Sequence, residues 1–535
     1  MIEQQIGRYL SAKIEISPYF SGTGDFRVLF LNTNPYSVGV VNLGWQTVVE
    51  YLLVACPFVS VRVEYADTIG SAHFKPLDFD LAAIHIPFET NYSTAVWMLN
   101  RIGLPLFSRE RSNSFPIVVA GGVYNPFPLV DFIDVFVLGD GRLPIVELTN
   151  LCFGEKGDKQ KILEIASEKK SRGIFIPELH SIQEKISASP ELPLNEFPIH
   201  TIWSSKDNVY GLPPDYLSIM VALGCRYKCP FCLVSHCQGI GRDRETEIDT
   251  SRILEILNWR RQFISLKTVK LFFASSVERE KLKRMISELI KERVNVEVGS
   301  LNCQQIDDEI VALLKQSGQN RITIAPETNW NQRWKVGKEY ITDERIFEIV
   351  KLANKYDLSL SLYLMYGLPG ETEKDIIEVG RLVKKVRQIL NSNLEMQVHC
   401  NQVYMKPHTP WQYAEQISPA ENMRRFNLFS REFIGMPKIE VKTLDICSSI
   451  LQSLLARGDR RMSKLLVSLA FSPLYDPREL MKRIEKLIPG WQRYFTEGEL
   501  SEKPWLQIIF QDHKILWQRW TVFKERLKQK RGEQL

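Results

Sequence analysis

The sequence predicts an α/β protein in three parts: an N-terminal doubly wound, Rossmann-like sheet, a central partial (β/α)6 barrel and a mainly helical C-terminal region. Three observations carry this reading. Apolar, β-rich runs alternate with helical stretches, with five such runs before residue 186 and six between residues 217 and 404, and alternation at that spacing builds parallel sheets. A Pro-rich stretch of little periodicity, Ser187–Pro214, separates the two series and reads as a linker. From about Pro419 the pattern turns helical. The divisions that follow are 1–186, a linker over 187–214, 215–418 and 419–535.

The bulk numbers agree. A chain of 535 residues has room for about three domains, and 44% hydrophobic with 24% charged residues is ordinary for a globular protein with sizeable cores. A net charge of +5 gives no strong argument for nucleic acid or membrane. The start, MIEQQIGRYLSAK, has no apolar core and is not a secretory signal. The most apolar run, Tyr51–Val61, is too short to span a bilayer and is broken by Pro57. The expected location is the cytoplasm, where nine cysteines do not imply a disulfide framework. Cys56, Cys152, Cys303, Cys400 and Cys447 are scattered and read as small buried thiols.

Residues 1–25 read as a lead-in helix and a Gly-containing loop. FRVLFLN (Phe26–Asn32) is the first buried strand, followed by a helix over Gly44–Ala55 and strands at Val59–Tyr65 and Phe79–Ile86. A helix at Ser93–Ile102, strands at Pro116–Ala120 and Val135–Leu138 and a helix from Leu143 complete the series. Ligands on such sheets sit at the carboxyl ends of the strands. Those ends carry Asn32-Thr33-Asn34, Gly121-Gly122 and Gly139-Asp140-Gly141, which serve either tight turns or a shared ligand face. No G-x-G-x-x-G opens a helix after the first strand, so this is not the dinucleotide fingerprint.

In the second series, strand one (Leu217–Leu223) runs straight into LGCRYKCPFCLVSHC, which sets Cys225, Cys229 and Cys232 in a C-x3-C-x2-C arrangement with Cys237 beyond. Three thiolates this close can hold a cubane iron–sulfur cluster with one iron open; four could close a zinc site. A helix follows at Asp249–Phe263, capped by Asp249 or Thr250. The strands at Thr268–Ala274, Val294–Ser300, Arg321–Ala325, Leu358–Tyr366 and Met396–Tyr404 alternate with helices at Arg279–Arg293, Asp307–Gln316, Asp343–Tyr356 and Lys374–Leu390. Active sites of such barrels lie at the strand C-terminal ends, so the cysteine loop belongs to the mouth, which favours catalysis over a structural zinc. Strand four ends at Glu327, either a mouth carboxylate or a helix-start carboxylate. Strand five ends in the glycine-rich GLPGET (Gly367–Thr372), whose backbone could take a flat ring. Strand six ends in YMKPHTPWQY, with Lys406 and with His408, which reads first as a turn histidine satisfied by backbone.

The cysteine loop after barrel strand one, with Phe231 beside the last cysteine, resembles the radical S-adenosylmethionine (SAM) enzymes. The resemblance implies a [4Fe–4S] cluster on Cys225, Cys229 and Cys232, with SAM on its open iron and reductive cleavage leading to hydrogen abstraction or methyl transfer. It implies Phe231 near the adenine, Gly367, Leu368 and Pro369 as the adenine-side turn, and Glu327 near the ribose or methionine end. It also implies an external reductant such as flavodoxin or ferredoxin. Ala274-Ser275-Ser276 stands where the family has Gly-Gly-Glu, and Cys237 has no counterpart. The N-terminal part is similar to the cobalamin-binding-like domain fused to many of these enzymes: VVAGGVYNPFPLVDFIDVFVLGDG carries the glycine pair Gly121-Gly122 and the Gly139 turn. Its first strand is followed by NTNPYSVG rather than the D-x-H-x-x-G that supplies a cobalt-ligating histidine, so cobalamin is a candidate cofactor without that ligand.

PLFSRER (Pro105–Arg111), the AGG region, TIAPETNWNQRWKVGK, YLMYGLPGET, YMKPHTPWQY and LLARGDRRMSKLL resemble, in this order, a radical SAM family with an N-terminal cobalamin-like domain. The implied function is a radical SAM enzyme, by cobalamin-dependent methyl transfer or by cobalamin-independent modification of RNA or a peptide; a zinc-stabilised binding module is the non-enzymatic alternative. In the C-terminal region Arg457–Arg461 reads as a charged helix–helix turn or an anion clamp, and Trp491, Trp505, Trp517 and Trp520 as packing residues. The basic Lys524–Arg531 reads as a solvated helix end, with nucleic-acid contact the minority reading.

Overall fold

The computed structural model describes residues 24–39, 42–71, 75–155, 158–169, 173–181, 183–192, 194, 215–238, 246–262, 265–273, 277–496 and 503–532. The expected lead-in helix at 1–25, nearly all of the linker beyond residue 194, and Ala274-Ser275-Ser276 lie outside them.

The first sheet contains β1 (Phe26–Asn32), β2 (Val59–Tyr65), β3 (Leu81–His85), β4 (Ile117–Gly121), β5 (Val135–Val137) and β6 (Ile174–Phe175), in the order β2-β1-β3-β4-β5-β6. The first five are parallel and β6 is antiparallel to β5. The order reverses at β1, so the crevice between β1 and β3 is the switch point at which such folds bind ligands. β1, β3, β4 and β5 read as near-continuous apolar runs because both faces are covered, whereas the edge strand β2, VSVRVEY, alternates. On one face lies the helix Leu43–Ala55, started by the Asn42 side chain accepting from the Gly44 N–H, with Trp45, Val49 and Leu52 in the core. On the other, the helix Tyr92–Arg101 buries Val96 and Leu99 together with Leu454, Leu466 and Leu480 of the C-terminal helices Ile446–Ala456, Ser463–Phe471 and Pro477–Leu487. The C-terminal region is therefore built onto the N-terminal sheet.

After β7 (Ile186–Ser187), the second series begins with β8 (Tyr216–Leu223), against whose end β9 (Thr246–Glu247) runs antiparallel. β10 (Thr268–Phe273), β11 (Asn295–Val298), β12 (Arg321–Glu327), β13 (Ser359–Tyr366), β14 (Met396–Gln402) and β15 (Ile439–Lys442) follow. They form two sheets, β11-β10-β8-β9 and β12-β13-β14-β15, continued into one another by a parallel bridge between Leu301 and Ile324. The six strands β8 and β10–β14 thus make an open parallel barrel. Its outer helices start at side-chain caps: Asp307 to the Ile310 N–H, Thr342 to Arg345, and a Thr372–Asp375 capping box. β15 and β16 (Ile508–Ile509), the latter paired with β7, were not expected. At four and two residues they are too short to show a period. Among the described residues no helix is long and apolar enough to cross a membrane.

Candidate functional site

The end of β8 delivers the cysteine loop to the barrel mouth. Gly224 (φ +83°) and Lys228 (φ +49°) turn the chain through the left-handed region, and the Cys232 N–H closes a tight turn on the Cys229 carbonyl at 3.1 Å. The short helix Leu233–Cys237 folds back: a His236 ring nitrogen meets the Cys229 carbonyl at 3.1 Å, and Lys228 Nζ donates to the Ser235 carbonyl at 3.2 Å. Burial pushes the Cys229 thiol up to about 12, against the opposing charge of Lys338. Metal binding at this loop must therefore displace protons. Among the described residues no three His, Cys, Asp or Glu side chains converge as a single-ion site would need. Cys237 is buried and lines the cavity described below, whereas Cys225 and Cys232 are partly exposed. Three thiols on one short loop fit the donor set of a cluster with one open iron.

Other strand ends meet this loop. At the end of β12, Glu327 takes φ +67° and pairs with Lys338, whose ammonium donates to its Oε1 and to the Ala325 carbonyl at 2.7 Å each. At the end of β13, Gly367 sits at φ +82°, where a Cβ would come within 3.0 Å of Ile417. The buried Glu371 carboxylate accepts from the Gly367 N–H at 2.6 Å and pairs with Arg425 at 3.0 Å, so the turn is held from below. Burial raises Glu371 to about 7. Phe231 packs at 5.9 Å from Trp411, in an apolar cluster that also holds Leu368, Met405, Leu516 and Trp520. Pro369 is half-buried beside it. Nothing local in WKVGK or GLPGET marks Lys338 or Glu371 for a role, and Arg425, on a helix beyond the barrel, carries no local signal. His408 adopts the backbone-satisfied form: its Nε2 donates to the Tyr124 carbonyl at 2.9 Å. Lys406 pairs with Glu89 of the N-terminal unit at 2.8 Å.

A cavity of about 290 Å³ lies between the strand ends of the N-terminal sheet and the start of the barrel. Gly121, Gly122, Gly139 and His85 line it from one side, and Leu223, Cys237 and Gln238 from the other. The glycines differ in role. At Gly139 (φ +91°) a Cβ would strike the Ser189 carbonyl oxygen at 2.4 Å, so this glycine serves a chain crossing. At Gly122 (φ +85°) a Cβ would crowd the Ile86 carbonyl at 3.1 Å, whereas Gly121 has only ordinary contacts.

The Arg457–Arg461 segment is a junction. Arg457 is buried and donates to the Ala414 carbonyl at 2.9 Å, Arg460 pairs with Asp131 at 2.6 Å, and Asp459 accepts from Tyr494 at 2.8 Å and pairs with Arg461. Trp505 and Trp520 are buried as packing residues, whereas Trp517 is exposed. The last helix, His513–Gly532, lies over the mouth: Phe523 meets Trp334 and Trp411 at 5.6 and 5.7 Å, and Arg526 pairs with Glu339.

Residues 64–177 match the family described as "Radical SAM proteins, N-terminal" and residues 219–383 the "Radical SAM superfamily", together a little over half of the chain. An uncharacterised protein of Methanocaldococcus jannaschii is 25% identical over 396 residues, 73% of this chain and 80% of its own. A tRNA-2-methylthio-N(6)-dimethylallyladenosine synthase of Clostridium botulinum is 26% identical over 204 residues, 34% of this chain and only 42% of the synthase. Among solved structures, the radical SAM methyltransferase TsrM of Kitasatospora setae, with cobalamin and a [4Fe–4S] cluster bound, superposes with a TM-score of 0.50 at 15% identity, covering 74% of this chain and 80% of TsrM. The cobalamin-dependent SAM radical enzyme OxsB, with aqua-cobalamin bound, gives 0.50 at 12% identity, covering 95% of this chain and 81% of OxsB. At these identities the structural likeness is one of fold.

Proposed function

The chain belongs to the radical SAM superfamily of enzymes, and from that premise we propose that it modifies its substrate by cobalamin-dependent methyl transfer. The observation that carries this is the shared cavity: the strand ends of the N-terminal sheet and the segment just past the cysteine loop line one space. A cofactor held by the first would thus stand next to one held by the second. The likeness in fold to two enzymes described with cobalamin supports the same reading. For this reading we keep the divisions 1–186, 187–214, 215–418 and 419–535.

Cys225, Cys229 and Cys232 would hold the [4Fe–4S] cluster. Phe231, Gly367, Leu368 and Pro369 would flank the adenine of SAM. Glu327, oriented by Lys338, would face the ribose or methionine end. Gly121 and Gly122 would let cobalamin approach backbone. When bound, the cluster supplies one electron, SAM a cleavable sulfonium and cobalamin a methyl carrier. The chain's own part is to fix these groups at the mouth and to exclude water, which the aromatic cover of Trp411, Trp520 and Phe523 does. Enzymes of this superfamily need an external reductant, and flavodoxin or ferredoxin is our candidate. Nine free thiols fit the reducing cytoplasm, where we place the protein.

A second reading, cobalamin-independent modification of RNA, is favoured by the partial similarity to the tRNA-modifying synthase and by exposed Lys528 and Lys530 on the helix over the mouth. Anaerobic reconstitution separates the readings. Iron, sulfide and SAM cleavage should collapse in Cys229→Ala and persist in Cys237→Ala, with one cobalamin retained on dialysis. Zinc without sulfide, or loss of the cluster in Cys237→Ala, would sink the three-thiolate assignment. Retention of the cluster with no cobalamin would leave the RNA reading, to be followed by nucleoside analysis of a deletion strain.

A further inference from the structure

A second cavity, of about 830 Å³, opens at the other end of the N-terminal sheet. Ile133 and Asp134, just ahead of β5, and Phe175, at the end of the antiparallel β6, line it, so it lies at the amino ends of the parallel strands. Its described lining contains none of the residues assigned above to the cluster, SAM or cobalamin. Two stretches far apart in the chain meet there: Ser108 and Arg109 from PLFSRER, and Asp459, Arg460 and Arg461 from LLARGDRRMSKLL. The volume lies within the range of small-molecule sites.

The charges around this cavity do not cancel. Asp134 is matched from behind the wall by Arg111 at 3.1 Å and Lys159 at 3.0 Å. Asp459 is taken by Arg461 and by the Tyr494 hydroxyl. Asp131 accepts from Nε of Arg460 at 2.6 Å, while the two terminal nitrogens of that guanidinium make no hydrogen bond among the described residues. With 71% of its side chain exposed, Arg460 is held at its base and open at its tip. Lys185 meets the Leu506 carbonyl at 2.9 Å and Arg109 lies 5.4 Å from the centre of the Phe107 ring; neither has a carboxylate partner among the described residues. Against these three cations stands the exposed Glu178. Phe107, Phe127, Val130, Pro177 and Leu506 supply an apolar wall. A cationic rim over an apolar wall selects an anion with an apolar body. A carboxylate brings a single charge, whereas a phosphate ester brings up to about two charges and three acceptor oxygens to share among separate cations. We propose that this cavity binds an organic phosphate, its phosphoryl group on Arg109, Lys185 and Arg460 and its apolar body on Phe107 and Leu506. Arg109 and Lys185 belong to the N-terminal unit and Arg460 to the C-terminal region, so the ligand bridges the two. The proposal rests on neither reading of the reaction at the mouth.

The test titrates phenyl phosphate into the full-length reconstituted protein by calorimetry, beside inorganic phosphate and phenylacetate. Phenyl phosphate carries both the anion and the apolar body and shares neither adenine nor methionine with SAM. It should bind about tenfold or more tightly than either comparison compound, and saturating SAM should not displace it. Arg460→Gln, which removes the open guanidinium, should weaken it about tenfold, the cost of a hydrogen bond between charged groups. Arg109→Gln and Lys185→Gln, which break no ion pair, should each weaken it about threefold, in keeping with exposed charges. These two variants carry the test if freeing Asp131 destabilises Arg460→Gln. Equal binding of phenylacetate or of inorganic phosphate, displacement by SAM, or undiminished affinity in both Arg109→Gln and Lys185→Gln would each overturn the proposal.

Discussion

Glu327 holds a backbone angle that few non-glycine residues take, φ +67°, and its carboxylate is nearly closed off from water, with 12% of the side chain exposed against 14% for Lys338. The two charges stabilise one another where neither could stand alone: Lys338 stays protonated although burial opposes it, because Glu327 favours the charged form. Removing one partner strands the other, at a cost of about 3 kcal/mol or more, whereas removing both costs far less. Lys338→Met should therefore lower the denaturation midpoint strongly, and Glu327→Gln combined with Lys338→Met should recover most of it; additive losses in chemical denaturation would refute the pairing. Only half of this was legible in the sequence. A carboxylate ending a barrel strand is a local signal, but its cation lies eleven residues on in chain order and meets it only through the fold.

Elements were read best where length and period were both present. The alternation that predicts β1–β5 and the six barrel strands comes from strands mostly of four to eight residues and their amphipathic partners. The short β7–β16 pair, which ties the expected linker to the C-terminal region, leaves no period to read. The last helix was legible as a helix but not as a cover. Its buried stripe, Leu516 and Trp520, joins Phe231, Leu368 and Trp411 in one apolar cluster, and His236, next to the cysteine loop, meets Gln511 just ahead of it at 3.2 Å. Each large apolar side chain so covered contributes roughly 1.5–3 kcal/mol. Truncation after Asp512 should thus lower the melting temperature and shorten the lifetime of the reconstituted chromophore in air, while the N-terminal sheet keeps its secondary structure. An unchanged chromophore lifetime would show that the helix does not shield the mouth.

The three parts are held together at His408, which is fully buried and at φ +62°. Its Nε2–H is donated to the Tyr124 carbonyl of the N-terminal unit, and its ring lies 4.8 Å from Phe510 and 6.1 Å from His513 of the C-terminal region. Burial, with the His513 charge added, lowers His408 to about 3. The sign of the linkage follows: below pH 6.5 the unfolded chain takes up a proton that the native ring refuses until about pH 3. The stability that neutral His408 contributes is complete above 6.5 and falls by about 1.4 kcal/mol per pH unit below it. Glu371 works in the opposite direction, because its native value of about 7 makes the folded state the better proton acceptor between about 4.5 and 7. The pH profile of the wild type alone therefore mixes the two, and the difference between paired variants is the informative quantity. His408→Asn keeps a residue that tolerates the left-handed backbone and cannot take up the proton. It should melt below wild type at pH 8, and the gap should close steadily as pH falls from 6.5 to 5. A gap that stays constant across that range would place the acid sensitivity of the junction elsewhere.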